Sequence, residues 1–155
     1  MNLSNSTNQI IELYAQWQPI KYKIKFYANG GTGAPREQEV QYDKVTSLDK
    51  NTFTKSGYLF KEWNTELDGS GTSYREGDKF KNLTTVNNSI IRFYAIVLPI
   101  NYEISFDANG GTGTMNHEIL TYDSESNLTK NTFTREGYTF KEWNTKADGS
   151  GTSYN

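Results

Sequence analysis

The chain has no cysteine among its 155 residues, so neither disulfides nor a thiolate zinc site can staple the fold. That leaves the compartment open, because cysteine-free chains suit the cytosol and many Gram-positive surface proteins alike. Proline occurs only at positions 19, 35 and 99, and histidine only at 117. Long apolar runs are missing too. The longest, Ile90–Ile100, is interrupted by Arg92 and Pro99 and is far too short to cross a bilayer, so no membrane insertion is expected. Residues 1–17 lack a basic segment followed by an apolar one and are no signal peptide; any export signal would lie outside this sequence. Charge of one sign is also lacking. Sixteen Lys and Arg stand against 18 Asp and Glu, well dispersed, which excludes a basic footprint for nucleic acid.

What the chain does have is rings: 11 Tyr, 8 Phe and 3 Trp, enough to supply most of a core. The remainder is rich in Asn, Thr, Ser and Gly, a composition of strands and turns. Sliding the sequence against itself by 80 residues aligns 1–75 with 81–155. About 41 of the 75 positions are identical, with no gap. Asn51–Tyr74 matches Asn131–Tyr154 almost throughout, and the hexapeptide ANGGTG appears at Ala28–Gly33 and again at Ala108–Gly113. Two copies of one unit are implied.

Each copy reads as mainly β. Tyr22, Ile24 and Phe26 alternate with Lys21, Lys23 and Lys25, the period of a strand with one apolar and one charged face. Asn29-Gly30 follows, and Asn-Gly is the strongest short hairpin signal because both residues tolerate positive φ. A second strand is expected over 37–42, with Val40 and Tyr42 inward. Tyr58, Phe60 and Trp63 mark a third, and the three-residue step to Trp63 predicts a bulge. Asp68–Gly71 reads as a turn before a short strand over 72–74. Ile90–Val97 closes the copy as a β-branched and aromatic strand. A helical turn is conceivable at Thr46–Lys50, and the stretch around Phe80 and Leu83 is helical or irregular.

Three signatures follow one another here: Y-x-I-x-F-x-A-N-G-G at Tyr22–Gly31, G-Y-x-F-x-x-W at Gly57–Trp63, and I-x-x-Y-A at Ile91–Ala95. In that order they resemble the Listeria–Bacteroides repeat, the B-repeat type of internalin-like surface proteins. The resemblance covers nearly the whole chain. It implies small β-grasp-like modules, α+β with little helix, in tandem on a bacterial cell-surface or secreted protein of which this chain is a fragment. It carries no known enzymatic class and no cofactor.

The phase of the repeat matters. In the family's register the chain holds the closing strand of a preceding repeat (1–19), a complete repeat (20–99), and a second repeat (100–155) lacking its closing strand. Pro19 and Pro99 favour these breaks. The alternative register, 1–75 and 81–155, gives two permuted units. Under the first, strand 10–17 has no sheet and unit 100–155 has an open edge, so strand exchange between chains is expected.

Candidate chemistry is thin. Gly31-Thr32-Gly33 lacks the further glycine, lysine or helix of a phosphate or dinucleotide loop. Asn64-x-Glu66-x-Asp68-Gly69 is spaced like half a calcium loop, but its twelfth position is Arg75, or Asn155 in the second copy. His117 corresponds to Glu37, so a Ser–His–Asp device would not be duplicated. Glu62 and Asp68 recur as Glu142 and Asp148, a carboxylate pair equally explained as solvated turn residues. No catalytic or metal-binding residue is assigned. The leading reading is a non-enzymatic spacer or weakly adhesive segment. The alternative is a module binding a host glycan or protein through aromatics. Trp63 and Trp143 are candidates to stack a sugar, and the unduplicated rings Trp17 (Val97 in the other copy) and Tyr27 (Asp107) are candidates for exposed contacts.

Overall fold

A computed structural model describes residues 3, 5 and 7–155. Its main sheet is drawn wholly from residues 21–99. The alternating segment forms β1 (Lys21–Tyr27), which pairs antiparallel with β2 (Arg36–Gln41) and sets Tyr22 opposite Val40. Two short strands, β3 (Thr46–Ser47) and β6 (Lys79–Phe80), pair with each other beside it. β4 (Tyr58–Asn64) is followed by β5 (Ser73–Tyr74), and β7 (Ile90–Pro99) comes last. The order in the sheet is β2-β1-β7-β4-β5, with β7 parallel to β1 and antiparallel to β4. A final strand inserted beside the first is the β-grasp arrangement. The expected bulge is present: the β4–β7 register shifts between Phe60 and Glu62, which keeps Phe60 and Trp63 on compatible faces.

The glycine question has a plain answer. Asn29 (φ 48°) and Gly30 (φ 84°) are both left-handed, and Gly31 N donates to Ala28 O at 3.1 Å, so ANGGTG is a tight turn. The same turn recurs at Asn109 (φ 47°) and Gly110 (φ 83°). It does not return straight into β2, however; Thr32 first bridges to Thr54 in both directions, at 2.7 and 3.2 Å.

No helix occurs among the described residues, so the helical turn entertained at Thr46–Lys50 is corrected to β3. The reason is local. The Gln38 side chain donates to Ser47 O at 2.7 Å and accepts from Asp49 N at 3.2 Å, while Asn51 makes reciprocal bonds with Phe53. Side-chain amides thereby take the backbone groups a helix would have used. Phe80 likewise lies on a strand, buried, and Leu83 packs against the core. Residues 10–17, expected as a strand, pair with no other strand among the described residues and are exposed. An extended segment without a neighbour has no ladder to hold it.

The core comprises Tyr22, Ile24, Phe26, Val40, Leu48, Phe53, Trp63, Phe80, Phe93 and Ala95. Every one belongs to residues 20–99. The second copy forms only two separate ladders: β8 (Asn101–Ile104) with β9 (Glu118–Thr121), and β10 (Trp143–Asn144) with β11 (Ser153–Tyr154). None of its side chains is fully buried. The counterparts of Phe80, Phe93 and Ala95 would fall at 160, 173 and 175, beyond the sequence. Near-identical residues are thus paired in one five-stranded sheet over 21–99 and in two short ladders over 101–154.

Candidate functional site

Both the calcium spacing and the carboxylate pair fall on the recurrent acidic turn, Glu62–Ser73 in the first of its two occurrences. Asn64 is fully buried and ties the turn from inside. Its Oδ1 accepts from Glu66 N (2.9 Å) and Gly71 N (3.0 Å). Its Nδ2 donates to Gly69 O, Gly71 O and Ser73 Oγ at 3.0–3.2 Å. Asp68 Oδ1 accepts from Ser70 N at 3.0 Å and Ser70 Oγ at 2.7 Å. The acid closes its own turn rather than facing a cation. Among the described residues, no group of three or more His, Asp or Glu is placed to hold a metal.

The carboxylate pair is no better suited to acid–base work. Donation from the Ser73 hydroxyl at 2.9 Å, helped by Lys61, holds Glu62 below the ordinary carboxylate range. The Ser70 hydroxyl and amide do the same for Asp68. Both stay ionised near neutrality, whereas a general acid needs a raised value. His117 is accounted for by packing as well. Its Nδ1 lies 2.7 Å from Glu103 Oε1 across the β8–β9 hairpin, where the first copy has Lys23 and Glu37 at 2.8 Å. The lone histidine is hydrogen-bonded to a surface carboxylate at the place where the first repeat carries a lysine–glutamate pair.

The aromatic candidates separate cleanly. Trp63 is 0% exposed, wedged against Phe26 (4.7 Å between centroids), Phe60 (5.0 Å) and Phe53 (5.9 Å). Its Nε1 donates to Asp49 O at 3.2 Å. As a sugar-stacking residue it is corrected: a ring with no free face in the folded sheet is core. Tyr27 is half-buried and stacks on Tyr94 at 5.4 Å, with Lys25 Nζ 5.8 Å from its centroid, so one of its faces is already taken. Trp17 is 90% exposed. Trp143 is half-buried, and its neighbours Phe106 (4.7 Å), Phe140 (4.9 Å) and Phe133 (6.0 Å) repeat the Trp63 cluster almost to the tenth of an ångström.

Trp143 lines a groove of about 1100 Å³ bordered by Ile104, Phe106, Leu120, Phe140 and Asn144. That exceeds the ~300–1,000 Å³ usual for small-molecule pockets. It lies where β7 lies in the first copy. Its rings Phe106, Phe140 and Trp143 are the counterparts of Phe26, Phe60 and Trp63, which pack together within residues 20–99.

A second feature escaped the sequence reading: the joint between copies. β7 ends at Pro99, Ile100 intervenes alone, and β8 begins. Ile100 N donates to Gly57 O at 2.9 Å and Tyr122 N donates to Ile100 O at 2.8 Å. The Tyr58 hydroxyl donates to Asp123 Oδ2 at 2.7 Å, which holds the phenol above its usual range, and the Tyr58 and Tyr122 rings meet edge-on at 5.7 Å. Gly57, at φ +77°, leaves room for the Tyr122 ring, which a Cβ there would strike. The signal was available, since Gly57-Tyr58 recurs as Gly137-Tyr138 and Tyr122-Asp123 repeats Tyr42-Asp43.

The family model of the Listeria-Bacteroides repeat domain matches residues 22–96 and again 102–155. Two relatives come from Evansella cellulosilytica. One, named "Putative Gly-rich membrane protein", is 35% identical over 130 residues, covering 76% of this chain and 15% of its own length. The other, named "Putative membrane protein", is 30% identical over 156 residues, covering 97% of this chain and 22% of its own length. The chain thus spans less than a quarter of either relative. No solved structure matches it significantly.

Proposed function

Because this chain belongs to the Listeria-Bacteroides repeat domain family, we propose that it is a non-enzymatic spacer segment of a bacterial cell-surface protein, with 20–99 as the repeating unit. One observation carries the reading: the joint at Ile100. Consecutive units are linked by a single residue, and that residue is hydrogen-bonded on both sides. A flexible linker would let units swivel; a joint braced by Tyr58, Asp123 and Tyr122 makes a semi-rigid array. Such an array sets whatever it bears at a fixed distance from its anchor. The names of the relatives, both membrane proteins, and the family's tandem occurrence support a surface location. No helix among the described residues is long and apolar enough to cross a membrane. The glycan-binding alternative loses its main support with Trp63 in the core.

Small-angle scattering on chains of two, four and six repeats tests the spacer directly. The maximum dimension is expected to grow by a constant increment per repeat. Growth as roughly the square root of length, the behaviour of a flexible coil, would reject the semi-rigid joint.

A further inference from the structure

We propose that a pocket beside Val97 binds a partner polypeptide through an aromatic side chain, an indole in the first place, flanked by carboxylates. The pocket holds about 350 Å³ and lies within residues 20–99, on the core side of the sheet where β4 and β7 run together. Phe53, Phe60, Ala95 and Val97 form its apolar wall, and Lys55 and Tyr58, both half-buried, complete the lining. The volume is at the lower end of the ~300–1,000 Å³ usual for ligand pockets, which suits a single side chain.

The strand register defines the shape that fits. Val97 stands opposite Phe60 in the β4–β7 ladder, and Phe60 packs on Trp63 with 5.0 Å between ring centroids. The residue that aligns with Val97 one period earlier is Trp17. An indole at position 97 would project from the strand towards Phe60 and fill the space that the shorter valine leaves. Filling such a space stabilises a core. The repeat forgoes that gain and keeps an opening whose wall matches an indole.

Charge defines the rest of the ligand. Other polar groups of the lining are already bonded within the repeat. Asn51 and Phe53 exchange side-chain-to-backbone bonds at 2.9 Å, and Thr54 is tied to Thr32 through both backbone and hydroxyl. Lys55 differs: its Nζ lies 4.1 Å from the centroid of the Tyr58 ring, and it is in none of the ion pairs among the described residues. A cation held on an aromatic face beside an apolar pocket complements an anion next to an apolar group. The arrangement is repeated. Phe53, Thr54, Tyr58 and Phe60 recur as Phe133, Thr134, Tyr138 and Phe140. Lys55 becomes Arg135, whose guanidinium lies 4.2 Å from the Tyr138 centroid, so the side chain changes while the charge and its seat do not. A partner segment presenting an aromatic residue between acids meets both requirements, with the ring as the buried anchor.

Amide chemical shifts of the 155-residue chain, titrated with the blocked tripeptide Asp-Trp-Asp, test this. Saturable shifts are expected at Thr54, Phe60 and Val97. The blocked tripeptides Asp-Ala-Asp and Lys-Trp-Lys should leave the same amides unmoved at equal concentration. Lys55→Met keeps an apolar stem over Tyr58 and removes the charge, and should weaken binding about tenfold, as the loss of one charge-assisted contact does. Val97→Trp fills the pocket from within, so it should keep the circular dichroism of the sheet and bind no peptide. Absence of saturable shifts at these amides would overturn the proposal, as would shifts that persist in Val97→Trp or an equal response to Lys-Trp-Lys. A Val97→Trp chain that loses its sheet would overturn it too, because the lining would then not accept an indole.

Discussion

Trp63→Ala is expected to destabilise the sheet of residues 20–99 by ~3–5 kcal/mol, the range for removing a large buried aromatic. The side chain is fully enclosed, three phenylalanine rings pack on it, and its indole N–H is the partner of Asp49 O. Its loss therefore leaves a cavity and an acceptor without its donor. A segment of this length has a total stability of only ~4–12 kcal/mol by the usual per-residue scale, so the substitution removes a large share of it. Trp143→Ala removes the same residue from a cluster of the same geometry. There the ring is only half-buried beside an open groove, and the expected cost is ~1 kcal/mol or less. Urea unfolding followed by circular dichroism measures both. Equal costs for the two substitutions would show that the copies fold equally, contrary to the burial difference described above.

Appending a second copy of residues 76–99 after Asn155 is expected to close the open sheet. The added chain supplies the counterparts of β6 and β7, and with them Phe80, Phe93 and Ala95, three of the core positions that residues 100–155 lack. The ladder bonds flanking the groove would then be made, and Trp143 would leave water. Residues 100–155 should gain a cooperative transition of ~5 kcal/mol, the low end for a small domain, with a blue shift of indole emission. An extended chain that keeps an exposed Trp143 would mean that β7 is not what closes the sheet.

Local signals were legible and long-range ones were not. The alternation over 21–26, the Asn-Gly turn, the bulge before Trp63 and the strand ending near Pro99 all follow from residues adjacent in sequence. They depend on backbone preference and period, which a short window contains. The partner of each strand is different, because nothing near Ile90 announces that it will lie beside Lys23, 67 residues earlier in the chain. Asn64 illustrates the same limit. An Asn in a calcium-like spacing was read for its oxygen, yet its role is to bond five groups of its own turn. Trp63 was doubtful for a related reason: a tryptophan that stacks on sugar and one that fills a core are the same letter, and only the three rings around it decide. The second copy shows how far identity falls short of structure. Its turns, its Thr112–Thr134 bridge and its aromatic cluster all form, because each is made from residues it possesses. What fails is the strand over 138–142 and the end of the strand after Ile104, the two stretches whose hydrogen bonds belong to β7 in the first copy.

Amide hydrogen exchange on the dilute, monomeric chain reads this dependence on a closing strand most directly. The amides of Lys25 to Tyr27 and of Leu59 to Trp63, flanked by β7, should exchange only through unfolding of the whole sheet. Their counterparts at 105–107 and 139–143 should exchange rapidly, through local opening that costs little. Comparable protection in both copies under those conditions would contradict the claim that each repeat is completed by the strand that leads into the next.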